Sequence, residues 1–157
     1  MKIFVLSLFL VLVSTLPACE NPQDTALTQS PSAAISVYKT PTCGCCTKWV
    51  DHLREKGFTV ETHDQPSLTA LKQEHGIPRG AEACHTALVD GYVIEGHVPA
   101  ADIRRLLDER SDAIGLAVPG MPYGSPGMGP EEDREAYDVF LILNDGSTEA
   151  YSSYPEG

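Results

Sequence analysis

Apolar and polar residues alternate in short runs after the first quarter of the chain, and this pattern predicts strands separated by amphipathic helices. Residues 35–39 and 58–62 alternate and are rich in β-branched and aromatic side chains, which favours half-buried strands. Between them, apolar side chains recur at i, i+3, i+4 and i+7 on one helix face: Cys46, Trp49, Val50 and Leu53. Thr42 is placed to cap this helix and Gly57 to end it.

The next segment predicts a further helix, a hairpin and a last helix. Residues 67–75 predict a short helix. Asp90-Gly91, between the strand-like residues 86–89 and 92–95, is a strong signal for a two-residue hairpin turn. Pro99 suits the first position of the helix that follows. The resulting order, β-α-β-α-β-β-α, predicts an α/β architecture of the thioredoxin-like kind, a mixed sheet with flanking helices.

The chain changes character beyond this last helix. Residues 114–129 are rich in glycine, proline and apolar side chains, which predicts an apolar loop packed on the domain. Residues 137–143 and 148–151 flank Asn144-Asp145-Gly146, and this pattern predicts a C-terminal β-hairpin that can extend the sheet.

The N-terminus has the features of a targeting segment. Lys2 precedes an apolar run over residues 3–13, which is too short to span a bilayer and is typical of a signal peptide. Leu16-Pro17-Ala18-Cys19 resembles a bacterial lipobox, so Cys19 is the predicted lipid attachment site. The alternative is ordinary signal cleavage nearby, which would leave Cys19 as a free or paired thiol.

These patterns predict the organisation of the chain and its location. We expect a signal peptide over residues 1–18, a polar flexible tether over 19–34, a thioredoxin-like metal-binding domain over 35–129 and a hairpin extension over 130–157. The protein is then exported to the periplasm and held at a bacterial membrane through a lipid anchor on Cys19.

The net charge of the chain limits the kinds of partner that the protein can bind. The 157 residues include 11 Lys and Arg against 22 Asp and Glu, a formal net charge of −11. Nucleic-acid binding needs a basic face to meet phosphates, so a nucleic-acid partner is excluded. An acidic surface is compatible with attracting cations, although it is more often only a solvated surface.

Three cysteines lie together where the first predicted helix begins, and a fourth precedes the third strand. Cys43, Cys45 and Cys46 form the cluster, and Cys84-His85 is the second short stretch. Structural disulfides are one interpretation in an exported protein, but adjacent cysteines do not pair easily. A redox dithiol is another, because Cys43 and Cys46 have Cys-x-x-Cys spacing at a helix N-terminus, where thiolate is favoured.

Metal binding is the third interpretation of the cluster. Exchange enzymes of the thioredoxin type carry a cis-proline before the third strand, and this chain has Cys84-His85 there instead. Clustered soft thiolates facing a Cys-His pair suit a soft ion, and their crowding suits a polynuclear Cu(I) site better than a zinc ribbon. Met121 and Met128 add thioethers that Cu(I) accepts. His97 can approach the site or cap the next helix. His52, His63 and His75 are predicted to be solvated.

Several blocks of this sequence are similar to a known family. The blocks are residues 39–49, 83–87, 89–99 and 115–122, within a match that runs from about residue 35 to residue 128. The chain resembles the CopG-like family of exported copper-resistance proteins. The resemblance implies a thioredoxin-like fold that binds copper through the clustered cysteines. The ligands it implies are Cys43, Cys45, Cys46 and Cys84, with His85 and a methionine, Met121 or Met128, as additions.

The sequence therefore predicts an envelope protein that sequesters or processes Cu(I) through a clustered-cysteine site and contributes to copper resistance. Its expected partners are copper ions, copper-efflux or copper-chaperone proteins, and the membrane through Cys19. No residue is assigned a catalytic role. A periplasmic thiol-disulfide oxidoreductase is the alternative, and a redox-inert structural zinc domain is a third class.

Overall fold

The alternating runs form one mixed sheet in the computed structural model, which describes residues 34–157, within the compact unit Pro31–Gly157. The helices and strands of these residues, in chain order, are β1 (Ile35–Lys39), α1 (Gly44–Glu55), β2 (Val60–Asp64), α2 (Thr69–Glu74), β3 (Thr86–Val89), β4 (Tyr92–Gly96), α3 (Ala100–Glu109), β5 (Gly115–Val118), β6 (Tyr137–Ile142) and β7 (Thr148–Tyr154). Short 3₁₀ turns cover Arg79–Ala81 and Glu131–Asp133.

The sheet of the described residues has seven strands in the order β2-β1-β3-β4-β5-β6-β7. β1 runs parallel to β2 and β4 runs parallel to β5, whereas the other neighbours are antiparallel. The predicted order β-α-β-α-β-β-α is confirmed up to α3. Asp90 and Gly91 both have positive φ, as the tight turn between β3 and β4 requires.

The prediction of a loop over residues 114–129 is wrong for its first part, because Gly115–Val118 forms strand β5. All four of its residues are buried, so the strand lacks the alternation that marks a half-exposed strand. β5 pairs with β4 on one side and with β6 on the other. The C-terminal hairpin β6–β7 therefore continues the sheet, as the sequence allowed.

Helix α1 begins at the cysteine cluster and is held by its apolar face. Its N-cap is Cys43 and not Thr42, because Cys43 Sγ accepts a hydrogen bond from the Cys46 backbone N–H at 3.3 Å. Trp49 and Leu53 are fully buried, and Trp49 Nε1 donates to the Val98 carbonyl oxygen at 2.8 Å. These contacts fix the helix end that carries the sulfurs against the sheet.

The predictions for the N-terminal segment lie outside the described residues. They are the signal peptide over residues 1–18, the lipid attachment at Cys19 and most of the tether over 19–34. Within residues 34–157, no helix is both long enough and apolar enough to cross a membrane.

The hairpin is joined to α3 through a buried carboxylate. Asp102 is 4 % exposed, and it accepts hydrogen bonds from Ser152 Oγ and from the Tyr154 hydroxyl, the latter at 2.6 Å. Burial, and then the hydrogen bond to Asp102, raise the pKa of Tyr154 above its usual range.

We expect the pKa of Tyr154 to make the fold sensitive to alkali. The unfolded chain releases this proton near pH 10, whereas the folded chain keeps it to higher pH. Stability from this group is therefore complete below about pH 10 and is lost as pH rises through the folded-state pKa. The Tyr154→Phe variant should lose about 1 kcal/mol at pH 7 with the hydrogen bond, but its stability should decline less steeply than that of the wild type above about pH 10 in thermal melts. Equal slopes in the two proteins would contradict the expectation.

Candidate metal centre

The fold gathers four cysteines and two histidines where the ends of three neighbouring strands, β1, β3 and β4, meet. Cys43, Cys45 and Cys46 lie at the start of α1, directly after β1. The remaining three come from the two ends of the β3–β4 hairpin: Cys84 and His85 before β3, and His97 after β4. Because β1 and β4 both lie beside β3, the three segments converge.

The sulfur atoms form one continuous group. Cys43 and Cys46 are joined by a disulfide, whereas Cys45 and Cys84 are free thiols. Cys43 Sγ lies 3.5 Å from Cys45 Sγ, and Cys46 Sγ lies 3.5 Å from Cys84 Sγ. All four sulfurs lie within 4.8 Å of one another. Reduction of the disulfide would therefore present four thiols to a single ion or cluster.

Cys84 also belongs to a second group, with two imidazoles. Its Sγ lies 3.2 Å from His85 Nδ1 and 3.2 Å from His97 Nε2. The three ligand atoms that these residues offer lie within 4.8 Å of one another. Cys84 is therefore the residue that the four-sulfur group and the sulfur-nitrogen group share.

The orientation of His97 is set by a distant loop. His97 Nδ1 lies 2.7 Å from the Pro126 carbonyl oxygen, which can only accept, so Nδ1 carries the proton. In the neutral ring Nε2 then has a free lone pair, and it points at Cys84 Sγ. A backbone carbonyl that fixes the tautomer of a histidine is a common support for metal ligands. The sequence alone allows His97 to be either a metal ligand or a cap of the next helix. No local sequence pattern reveals its contact with Pro126.

The His85 side chain is enclosed by its neighbours, and one of its two ring nitrogens lacks a hydrogen-bond partner among the described residues. It is fully buried, with Trp49 at 4.4 Å and His97 at 5.0 Å between ring centroids. Its Nε2 has no hydrogen-bond partner among the described residues. Burial, followed by the neighbouring His97, lowers the pKa of His85 well below its usual value, and burial also lowers the pKa of His97. Both rings are therefore neutral at pH 7, which is the form that binds metals.

The thiol of Cys84 keeps its proton in the metal-free protein. Burial, and then the neighbouring Cys45, raise the pKa of Cys84 to about 12. A bound cation must therefore displace this proton, as thiolate ligation requires. Soft thiol donors, neutral imidazoles and an unpartnered buried nitrogen together fit a soft metal ion.

The loop after β5 closes over the start of α1. A side chain at Gly127 would place its Cβ 2.8 Å from the Trp49 backbone nitrogen and 2.9 Å from the Cys45 carbonyl oxygen, so the loop packs directly on the cysteine turn. Met128 is half-buried in this loop, and Met121 is 42 % exposed. As ligands, both methionines stay predictions.

The other histidines lie in different surroundings. His63 stacks on Tyr38, with 4.8 Å between ring centroids. The prediction that His52 is solvated misses a contact, since it is half-buried and its Nε2 accepts from the Ala100 backbone N–H at 3.3 Å. None of His52, His63 and His75 is part of the two ligand groups found among the described residues.

One family model and two solved structures are similar to this chain. Residues 81–128, which include Cys84, His85 and His97, match the family model described as "Protein of unknown function, DUF411". A search of curated proteins finds no match. Two solved structures, titled "Copper resistance protein copG", forms 1 and 2, are each 44% identical to the chain with a TM-score of 0.75. The alignments cover 79% of this chain and 98% and 99% of the two structures. At that identity over that length, this chain belongs to the family of the copper resistance protein CopG.

Proposed function

We propose that this protein binds copper as Cu(I) through its clustered cysteines and histidines, and that it contributes to copper resistance. The observation that carries the proposal is the convergence of four sulfurs and two imidazoles on Cys84. The CopG structures, whose title names copper resistance, support the same function.

The donor set favours Cu(I) over other ions. Thiolates and imidazoles are soft or borderline ligands, and Cu(I) prefers them. A single tetrahedral zinc ion would use four of the six donors, and Cys84 would then bind one ion as a terminal ligand although it belongs to both ligand groups. Because Cys84 lies within reach of both groups, it suits a bridging thiolate between ions, which supports a polynuclear site. Sequestration of several Cu(I) ions is the function that such a site performs best.

The disulfide gives the site a redox step that balances. When Cys43 and Cys46 pass from two thiols to one disulfide, two electrons and two protons leave. Two Cu(II) ions can accept the electrons and become two Cu(I) ions. Cys45 and Cys84 keep their thiols, and with the two histidines they remain to hold the product. Processing of copper is therefore compatible with binding at the same place.

A thiol-disulfide oxidoreductase is the second candidate. The β2-β1-β3-β4 order, with α1 following β1, supports a thioredoxin-like unit, and the Cys43–Cys46 disulfide at the start of α1 is where such enzymes react. Reduction of a protein disulfide that survives Cys45→Ser but is lost in Cys46→Ser would favour this candidate. A wild-type protein that reduces no protein disulfide would count against this candidate.

The proposal includes a place in the cell. The signal-like residues 1–18 and the lipobox-like Cys19 support export to the periplasm and lipid anchorage to a bacterial membrane. Copper-efflux or copper-chaperone proteins are the partners that a copper-binding protein would meet there. Intact mass measurement of envelope material tests the anchor, since acylation of Cys19 adds a large fixed mass.

The experiment that tests copper binding is an anaerobic Cu(I) titration of the reduced full chain against a competing chelator. We expect the wild type to remove Cu(I) from the chelator and the Cys43→Ser, Cys84→Ser double variant to do so far less. Cys19→Ser is the matched control, because Cys19 is a cysteine that is not among the predicted copper ligands. Competition by the wild type no stronger than that of the double variant would contradict the proposal.

A further inference from the structure

A lysine and a glutamate are buried together behind the segment that carries Cys84 and His85. Lys72 from α2 is 7 % exposed, Glu95 from β4 is fully buried, and the two side chains form a direct ion pair. Neither residue belongs to the ligand groups of the metal centre. The only local sign of the pair along the chain is a single acidic residue within the apolar run of β4.

The ion pair is hydrogen-bonded to both residues that flank the ligands. Lys72 Nζ donates to the Ala83 carbonyl oxygen and to Thr86 Oγ1, each at 3.1 Å. Glu95 accepts from the Ala83 backbone N–H at 2.6 Å and from the Thr86 hydroxyl at 2.7 Å. Side chains from α2 and β4 therefore hold the two ends of the Cys84-His85 segment.

Regular structure does not reach this segment, and besides the ion pair a backbone hydrogen bond from the Gly96 N–H to the His85 carbonyl oxygen, at 3.1 Å, holds it. Residues 82–85 lie in neither a helix nor a strand. Ala83 uses both of its backbone polar groups on the pair. Lys72 has three acceptors for its three protons, so the buried charge is fully satisfied.

Stability alone does not account for such a pair. An apolar pair of similar volume is often as stable as a buried ion pair, or more so, because it avoids desolvation of two charges. An apolar pair cannot, however, bond the N–H and the carbonyl of Ala83 and so set the direction of the backbone that enters Cys84. The charged pair therefore supplies a fixed orientation of the backbone that leads into Cys84.

Three consecutive residues, the last two of β4 and the one that follows it, act on the same few atoms. Glu95 bonds Ala83 and Thr86. Gly96 leaves the space in which Ala83 packs, since a Cβ there would lie 2.6 Å from Ala83 Cβ. His97 Nε2 meets Cys84 Sγ. The end of β4 therefore sets both the position of the segment and one of the contacts of its thiol.

We propose that Lys72 and Glu95 are positioning residues, which hold Cys84 in reach of Cys46 and His97 and so make the metal centre preorganised. The inference rests on the proposed function only where copper binding is the readout. Its geometric content concerns the metal-free protein, and it can be tested there.

The test compares Cys45 and Cys84, the two free thiols among residues 34–157. The full chain, metal-free and with the Cys43–Cys46 disulfide intact, is treated with iodoacetamide, and peptide mass spectrometry gives the modification rate of Cys84 relative to Cys45. The variants are Lys72→Met, Glu95→Leu and the two combined. Asp102→Asn is the matched control, because it disturbs a different buried carboxylate network.

We expect each single variant to melt at a lower temperature and to raise the Cys84 to Cys45 ratio by about tenfold, the factor that ~1.4 kcal/mol of lost local ordering gives. The double variant should melt at a higher temperature than either single variant, because no unpaired charge remains buried, but it should stay below the wild type, because Ala83 and Thr86 lose their partners, and it should keep the raised ratio. Asp102→Asn should melt lower with the ratio unchanged. If a single variant does not fold, the double variant decides the question. A wild-type ratio in the double variant, or an equal rise in Asp102→Asn, would overturn the proposal.

Copper supplies the second readout. In the Cu(I) competition titration, the double variant should bind about tenfold more weakly than the wild type, as loss of an outer support of a metal ligand does. Wild-type copper affinity together with a raised alkylation ratio would overturn the link between position and binding. If the wild type itself binds no copper, the proposed function fails, and the alkylation ratio still tests the positioning.

Discussion

The Cys84→Ser variant is expected to lose most of the copper affinity of this protein, by about 100-fold or more, since loss of even an outer support costs about 10–100-fold at metal sites. The reason is that Cys84 is the one residue common to the four-sulfur group and the Cys84-His85-His97 group. Serine keeps the shape of the side chain but gives a hard oxygen donor that Cu(I) binds poorly. The measurement is anaerobic competition of the reduced full chain against a Cu(I) chelator.

Two further variants make this expectation sharper. Cys43→Ser should weaken binding less than Cys84→Ser, because it leaves Cys45 and the whole Cys84-His85-His97 group in place. Cys19→Ser should leave the affinity unchanged. Equal losses in Cys43→Ser and Cys84→Ser would show that Cys84 has no shared role.

The Gly96→Ala variant is expected to cause a large loss of stability close to the site. Gly96 has φ +73°, and a Cβ would lie 2.6 Å from both Ala83 Cβ and the Val118 carbonyl oxygen. Left-handed backbone costs about 1–2 kcal/mol and overpacking about 1–3 kcal/mol, so a loss of about 2–5 kcal/mol is expected in denaturant unfolding.

Gly91→Ala is the control that separates the two causes. Gly91 has φ +87° in the β3–β4 turn, and nothing lies within 4 Å of the position that an added Cβ would take. It should lose only the backbone cost, about 1–2 kcal/mol. Equal losses in the two variants would mean that the close contact of Gly96 with Ala83 and Val118 has no energetic consequence.

The strands and helices that could be predicted have either one exposed face or, like the fully buried β4, a distinctive turn beside them. β1 and α1 show clear periods of two and of about 3.6 residues, and the turn at Asp90-Gly91 has a sequence signature of its own. β5 could not be predicted in this way, because a strand buried on both faces has no alternation and its glycine and proline neighbours suggested a loop.

The metal centre likewise has some features that the sequence predicts and others that it does not. The cysteine cluster and Cys84-His85 are short motifs, so their chemistry could be inferred from their composition. The role of His97 depends on its contact with Pro126, 29 positions away, and the support of Cys84 depends on Lys72 and Glu95. Contacts of this kind arise from the packing of separate segments, and no local pattern encodes them.

X-ray absorption at the copper edge tests most directly whether copper binds where the cysteines and histidines converge. The sample is the full chain, reduced and loaded anaerobically with Cu(I), beside the Cys84→Ser variant. We predict a first coordination shell dominated by sulfur with an imidazole contribution, and a clear loss of sulfur in the variant. A shell of oxygen and nitrogen only, or identical spectra from the two proteins, would contradict binding at this centre.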